Sequence, residues 1–162
     1  MSISKISEKS WDEILKIQEE AYTEVPPEDV NILKSKWLTS PDTCSIYLSN
    51  ENKILAYLLS HPWSSDSPPK LNEEAPVNNE TSNLYLHDLA LSNEARGKGI
   101  AKSLVKNLIN YAKIQGFTNI ILVAVQGSSS FWAKYGFTVI DNTAICPSYG
   151  NAAKLMVLQL NT

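Results

Sequence analysis

The chain has 162 residues, of which 43% are hydrophobic and 19% charged, as is typical of a soluble globular domain. Its net charge of −3 argues against nucleic acid as a partner, because phosphate backbones bind to basic surfaces. The sequence contains no apolar signal-peptide core and no membrane-length apolar stretch, and its two cysteines suit neither a disulfide framework nor a metal site. We therefore expect one cytoplasmic domain over 1–162, with no metal and no membrane partner.

The first half of the chain predicts two helices followed by an antiparallel hairpin. A short strand at 3–7 precedes an amphipathic helix that begins after Ser10, and a second helix lies near 30–40. The tract TEVPPED at 23–29 separates the helices, because proline is incompatible with a continuing helix. Apolar segments on either side of NENK indicate two strands within 43–63. The polar stretch 64–82 predicts a long loop, either solvated or acting as a substrate lid.

The second half predicts a strand–helix–strand unit. LYLHDLAL at 84–91 is a strand, an amphipathic helix covers about 98–115, and the apolar run at 119–126 is a central strand. Such a unit forms a right-handed parallel crossover. A short helix at 129–135 and strands near 137–140 and 154–160 follow. The pattern indicates a mixed α/β domain with its parallel strand pair in the middle.

The most informative stretch is RGKGIAKSLV at 96–105, where a turn with two glycines leads into the helix. The first turn of a helix leaves backbone N–H groups unpaired, and its dipole favours anions such as phosphate. Gly97 and Gly99 permit positive φ angles and a close ligand approach, and Arg96 is the only arginine in the chain. A tight turn without a ligand is the alternative interpretation. The sequence matches neither the dinucleotide-binding fingerprint nor the P-loop, because a glycine that each motif requires is replaced here by another residue.

The order Arg96, Gly99, Ala101, between a strand and an amphipathic helix, resembles the acyl-CoA-binding motif of the GCN5-related N-acetyltransferases, the GNAT family. FWAKYGF at 131–137 and SYGNAAKLM at 148–156 are similar to later segments of that family. The resemblance is specific over about 84–160, and the first half matches only in the order of its elements. It implies a twisted, mostly antiparallel mixed sheet of seven strands, splayed between its two parallel strands.

The resemblance also implies which residues bind acetyl-CoA, the expected co-substrate. Backbone groups of the strand at 84–91 would pair with the pantetheine, and the glycine turn would hold the pyrophosphate. The asparagine usual after the second parallel strand is replaced by VQGSSS, and residues of that segment would take over its contact, as in a bacterial subset of the family. The implied cofactor residues are Leu89, Ala90, Leu91, Arg96, Gly97, Lys98, Gly99, Ile100, Ala101, Gln126, Ser128 and Trp132.

A catalytic base is needed because an amine must lose a proton before it attacks a thioester, and imidazole, with a pKa of about 6.5, suits that task. His87 matches the second histidine of the His-x-His strand in the arylalkylamine acetyltransferase branch, so it is the candidate base. Strict alternation places it on one face with Tyr85 and Leu89, and Asp88 on the other unless a bulge intervenes. A satisfied histidine without a catalytic role and Asp88 as the base remain open. For His61 a structural role is expected.

Two more roles follow from the chemistry of acyl transfer. The oxyanion needs N–H donors, and the resemblance implies that they come from the backbone near Ala90. The tyrosine that the family often uses to protonate the leaving thiolate aligns with Trp132, and an indole is no useful acid. Tyr135, one helical turn further, or Tyr149 of the C-terminal motif would replace it, unless water protonates the thiolate.

These motifs predict an acyltransferase that moves an acetyl group from acetyl-CoA to a primary amine of a small molecule. The resemblance to a family whose domains commonly pair also implies a homodimer. Protein lysine or N-terminal acetylation, and a non-catalytic acyl-CoA sensor, remain alternatives. The first two helices and the strand-end loops are expected to select the acceptor. Near the break between those helices, Glu20, Glu24, Glu28 and Asp29 either attract a cation or are simply solvated.

Overall fold

The computed structural model describes residues 2–64, 68–71, 73–74, 81–140, 149 and 152–160. The strands are β1 (Ser2–Ser4), β2 (Ser45–Leu48), β3 (Ile54–Pro62), β4 (Asn83–Leu91), β5 (Asn119–Ala124), β6 (Thr138–Val139) and β7 (Lys154–Gln159). The helices are α1 (Trp11–Ala21), α2 (Val30–Thr39), α3 (Ile100–Ile114) and α4 (Ser129–Ala133), with 3-10 turns at Glu8–Ser10, Pro41–Thr43 and Asn93–Ala95. Cys146 and most of the predicted loop at 64–82 lie outside the described residues.

The described strands form one sheet in the order β1-β2-β3-β4-β5-β7-β6. Neighbouring strands are antiparallel, except that β4 and β5 run parallel with α3 between them in the chain. The predicted mixed α/β fold with a central parallel pair is therefore confirmed. Pairing of β4 with β5 covers residues 83–85 and 119–121 of the described chain, although both strands continue beyond. The two strands thus part toward their C-terminal ends, as the resemblance implied.

Helices cover both faces of this sheet. The apolar stripe of α3, which includes Ile100, Leu104 and Leu108, packs into the larger hydrophobic cluster with residues of β4 and β5. On the opposite face, Ile14 of α1 and Leu33 of α2 lie in a second cluster, and both are fully buried. Each such side chain stabilises the fold by about 1.5–3 kcal/mol relative to exposure. In the described part of the chain, no helix is long and apolar enough to cross a membrane.

A bulge interrupts β4 at His87. Asp88 pairs with Leu59 of β3, but the next pair along the strands is Leu86 with Ser60, so His87 is an extra residue. The predicted strict alternation is wrong here, because the bulge exchanges the two faces of the strand. Side chains that pack toward α3 are Leu84, Leu86, Leu89 and Leu91, whereas Asp88 and Ala90 lie toward α1. His87 therefore does not share a face with Leu89 and Leu91.

Candidate active site

A cleft of about 370 Å³ opens where β4 and β5 part. The predicted site residues that line this cleft are His87, Leu89, Ala90, Leu91, Arg96, Ala101, Gln126, Ser128, Trp132 and Tyr149. From the other side, α1 and the segment after it contribute Gln18, Tyr22, Val25, Pro26 and Glu28. The fold thus brings most of the predicted cofactor residues together with the candidate base.

Arg96 and Ala101, on either side of the glycine turn, line the cleft, whereas Gly97, Lys98, Gly99 and Ile100 between them are not among its lining residues. Gly97 and Gly99 have φ angles of 77° and 73°, and a Cβ on either would meet no atom within 4 Å. Glycine is therefore needed there for the backbone angle rather than for space. No side chain of the described residues caps α3, so its first N–H groups are available to an anion. Ile100 is 1% exposed and packs in the core, so only its backbone amide can take part.

The edge of β4 that faces β5 supplies a second set of backbone donors and acceptors. Ser92 N–H donates to the Leu55 carbonyl of β3 at 2.9 Å, and Ala90 pairs with Tyr57 in the same register. Backbone groups along an antiparallel pair alternate in direction, so those of Leu89 and Leu91 point away from β3 toward the cleft. The backbone of Ala90 faces β3, which leaves the cofactor contacts predicted for this strand to Leu89 and Leu91.

The candidate base forms a buried pair with a carboxylate. His87 Nε2 lies 2.5 Å from Glu28 Oε1, and the two side chains are 2% and 6% exposed. An ionised carboxylate only accepts hydrogen bonds, so Nε2 carries the hydrogen of the neutral ring. The other ring nitrogen, Nδ1, then holds a free lone pair, and it is buried without a hydrogen-bond partner among the described residues. The expectation that Glu28 is a solvated carboxylate is wrong.

The alternative base, Asp88, is engaged by two tyrosines. Its Oδ1 accepts a short hydrogen bond from the Tyr22 hydroxyl, and its Oδ2 accepts one from the Tyr57 hydroxyl at 2.6 Å. Burial raises the pKa of Asp88, with the nearby Glu28 charge adding to the rise while His87 and the two hydroxyls oppose it. With both oxygens occupied, Asp88 serves better as an anchor for the bulge than as a proton acceptor.

The three aromatic candidates near the leaving group differ in position. Trp132 and Tyr149 line the cleft, whereas Tyr135 packs its ring 5.4 Å from that of Phe131 and is not among the cleft residues. Tyr149 is 5% exposed, and its hydroxyl donates to the Pro69 carbonyl at 2.6 Å. The Tyr85 hydroxyl lies 3.3 Å from that of Tyr149. Of the two predicted tyrosines, Tyr149 is thus the one that the fold brings to the cleft.

Gln126, for which the sequence predicted a pantetheine contact, lines the cleft, but its amide is bonded within the protein. Its Oε1 accepts from the backbone N–H groups of Thr23 and Glu24, each at 2.9 Å. Its Nε2 donates to the Ala21 carbonyl at 3.2 Å. Ser128, at the start of α4, lines the same part of the cleft.

The sequence predicted that the first two helices help to select the acceptor, but it did not identify which residues there reach the cleft. Tyr22 and Gln18 reach the cleft, although neither belongs to a motif that the sequence singled out. Glu28 was named only as one of several carboxylates near the helix break. The pair of prolines beside it indicated only that the chain is not helical there.

Comparisons with known proteins agree with this architecture. Residues 11–137 match the model of the acetyltransferase (GNAT) family. N-acetyltransferase 8 of Rattus norvegicus is 39% identical over 57 residues, which is 33% of this chain and 26% of that protein. The chain thus aligns with about a quarter of that relative's length.

Two solved structures share the fold. The GphF GNAT-like decarboxylase in complex with isobutyryl-CoA gives a TM-score of 0.81 at 12% identity, covering 99% of this chain and 100% of that one. The NatC complex bound to Gag peptide and CoA gives a TM-score of 0.77 at 18% identity, covering 99% of this chain and 98% of that one. At such identities the likeness concerns the fold alone. The family match covers most of the sequence, and the chain therefore belongs to the acetyltransferase (GNAT) family.

Proposed function

We propose that this chain is an acetyl-CoA-dependent N-acetyltransferase that acetylates a primary amine of a small molecule by direct attack on the thioester. The observation that carries the proposal is the cleft, where an uncapped helix N-terminus and a buried histidine–carboxylate pair line one cavity. Membership of the family supports an acetyl-CoA-dependent transferase, and the two solved structures described above are complexes with CoA and with isobutyryl-CoA. A homodimer and a cytoplasmic location stay predictions.

In this proposal the cofactor is held mainly by backbone. The first-turn amides of α3 and the Arg96 guanidinium neutralise the pyrophosphate. The Leu89 N–H and the backbone groups of Leu91 pair with the pantetheine amides and set the thioester between the parted strands, while the Leu89 carbonyl accepts from the Tyr22 hydroxyl at 3.1 Å. An N–H of that edge, rather than one of Ala90, donates to the oxygen that becomes negative when the amine attacks.

His87 is the base, acting through Nδ1. The hydrogen bond from Nε2 to Glu28 fixes the neutral ring in the tautomer whose Nδ1 lone pair is free, and it stabilises the imidazolium that forms. The ammonium loses one proton to Nδ1, directly or through one water, and the neutral nitrogen then forms the new bond to the acetyl carbon. The second proton leaves that nitrogen to solvent as the amide forms. Collapse of the tetrahedral intermediate breaks the C–S bond and releases CoA as a thiolate.

Tyr149 is the proposed proton donor to that thiolate, because it lines the cleft and Tyr135 does not. Its hydroxyl donates to Pro69 in the absence of substrate, so the Tyr85 hydroxyl must be the donor between the two tyrosines. Tyr85 is therefore placed to return a proton to Tyr149. A thiol pKa of about 8.5 makes this step easy, so we expect a modest effect from Tyr149→Phe.

A small acceptor is favoured over a polypeptide by the contact between Tyr149 and Pro69. Tyr149 precedes β7 and Pro69 precedes β4 in the chain, and their hydrogen bond of 2.6 Å joins the two at the cleft. A peptide crossing between them would have to break this contact. The neighbouring wall consists of Val25, Pro26 and Leu71, which suits an amine with an apolar body.

The test is a free-thiol release assay with acetyl-CoA and a panel of small amines, amino acids and peptides. The wild-type chain is compared with His87→Gln, which keeps a polar group toward Glu28 but has no basic nitrogen. We expect turnover of one class of small amines and a loss of about 10²–10⁴-fold in kcat for the variant, with acetyl-CoA affinity unchanged.

Three results would count against parts of this proposal. Equal turnover of wild type and His87→Gln removes His87 as the base. Preference for peptides over all small amines overturns the acceptor class. If the chain binds acetyl-CoA tightly but turns over no acceptor, and Arg96→Ala abolishes that binding, the chain is an acyl-CoA sensor instead.

A further inference from the structure

The segment between α1 and α2, residues 22–29, positions the carboxylate that contacts His87. It has no regular secondary structure, and Pro26 and Pro27 remove two backbone donors from it. Bonds within its own backbone therefore hold it poorly. The position of Glu28 depends on groups outside the segment.

Gln126 supplies such groups at the beginning of the segment. Its amide oxygen accepts from Thr23 and Glu24 N–H at 2.9 Å, and its NH₂ donates to the Ala21 carbonyl at 3.2 Å. Only this orientation of the amide satisfies all three partners, since the oxygen accepts and the nitrogen donates. Gln126 also has a φ angle of 52°, which non-glycine residues rarely adopt unless the surroundings enforce it.

Gln18 does the same at the other end of the segment. Its Oε1 accepts from the Glu28 N–H at 2.9 Å, and its Nε2 donates to the Glu28 carbonyl at 3.2 Å. Gln18 is 4% exposed, so these bonds are shielded from water. Two side-chain amides thus bind the backbone of the segment on both sides of the prolines.

We propose that Gln126, together with Gln18, is a positioning residue that fixes residues 22–28 so that Glu28 meets His87, and that the Gln126 amide is not a ligand of the pantetheine. Gln126 follows β5, the strand on the far side of the parted pair, so it ties the segment bearing Glu28 to that side of the cleft. The catalytic consequence rests on the proposed function, whereas the structural part does not.

The experiment compares Gln126→Met with Gln115→Met, a matched control on the exposed C-terminal end of α3. Met keeps the length of the side chain and removes its hydrogen bonds. We measure amide hydrogen exchange over 22–29, acetyl-CoA affinity by calorimetry, and KM and kcat with the best amine. Gln126→Glu is included because it retains an acceptor for Thr23 and Glu24 but loses the donor to Ala21.

In Gln126→Met we expect exchange over 22–29 to rise by about tenfold or more, acetyl-CoA affinity to change by less than about threefold, and kcat/KM for the amine to fall by about tenfold. We expect hydrogen exchange and kcat/KM of Gln126→Glu to lie between those of the wild type and Gln126→Met. The control Gln115→Met should match the wild type in all three measurements. A tenfold loss of acetyl-CoA affinity with unchanged exchange would show that Gln126 is a cofactor ligand and overturn the proposal. If the wild type has no turnover, the proposed function fails, while exchange and affinity still decide the role of Gln126.

Discussion

The two sides of the cleft are built in different ways. On the side proposed for the cofactor, the groups offered to a ligand are mostly backbone, and they come from Leu89 and Leu91 of β4 and from the turn and helix start at 96–101. On the acceptor side they are side chains from distant parts of the chain. Glu28 and His87 are 59 residues apart, and Tyr22 and Asp88 are 66 apart.

This difference determines how each side responds to substitution. A backbone site tolerates changes of side chain except where a new group enters the cleft or a positive φ angle is lost. A site of buried, mutually bonded side chains is sensitive at every member, because each lost partner leaves a polar atom unsatisfied. Substitutions on the two sides should therefore have separable effects, on cofactor affinity and on catalysis or stability.

The largest separable effect is expected on the cofactor side, from Ala101→Glu. Ala101 lies in the first turn of α3 and lines the cleft, so a carboxylate there would repel the pyrophosphate. We expect acetyl-CoA affinity to fall by about 1,000-fold, or ~4 kcal/mol. The same substitution should not destabilise the fold, because a glutamate near a helix N-terminus is favourable. Calorimetry measures the acetyl-CoA affinity, and urea unfolding measures the stability of the fold. Ala101→Gln serves as the uncharged control. Unchanged acetyl-CoA affinity in Ala101→Glu would place the pyrophosphate elsewhere.

The next effect concerns acid stability, which we assign to His61 of β3, a residue that is not among those lining the cleft. Burial lowers the pKa of His61 from 6.5 to about 4, and its Nδ1 donates to the Pro62 carbonyl. The unfolded chain therefore binds this proton more readily than the folded chain. The resulting stability is complete above pH 6.5 and is lost as pH falls toward 4, by about 3 kcal/mol in all.

His61→Asn tests this assignment, since asparagine keeps a donor near the position of Nδ1. Between pH 7 and pH 4, the free energy of unfolding of the wild type should fall by about 3 kcal/mol more than that of the variant in urea unfolding. Any constant loss from the smaller side chain cancels in that comparison. Parallel pH curves would mean that His61 is not the source of acid lability.

A smaller loss of stability is expected from Tyr57→Phe. Tyr57 is fully buried, and its hydroxyl donates to Asp88 Oδ2 at 2.6 Å. The variant leaves a buried carboxylate oxygen without this donor, which costs about 2 kcal/mol. Tyr47→Phe, at a partly exposed tyrosine of β2, is the control and should change the free energy of unfolding by less than about 0.5 kcal/mol. Equal losses in the two variants would argue that the Asp88 network does not stabilise the fold.

The smallest effect is expected from Arg96→Lys. The charge is retained, but the planar, bidentate donor set is lost. We expect acetyl-CoA affinity to fall by about tenfold, or ~1.4 kcal/mol, with the amine KM unchanged. A change in amine KM with unchanged cofactor affinity would place Arg96 on the acceptor side and break the division proposed for the cleft.

The same division explains what could be predicted from sequence. The glycine turn, the helix it begins and the parallel crossover are local in the chain, so periodicity and a motif were sufficient to predict them. The bulge at His87 was not predictable, because it depends on the register of β4 against β3 and on the two tyrosines that hold Asp88. Glu28 was missed for a related reason, since no local pattern indicates that a carboxylate after two prolines will meet a histidine 59 residues away.

The central claim is that Glu28 and His87 act as one unit, and a double-mutant cycle tests it most directly. We would measure kcat/KM for the preferred amine at saturating acetyl-CoA in wild type, Glu28→Gln, His87→Gln and the double variant. If Glu28 acts only through His87, each single variant loses activity, and the double variant is no worse than His87→Gln within about threefold. If the two losses multiply, the residues act independently and the proposed pairing is wrong.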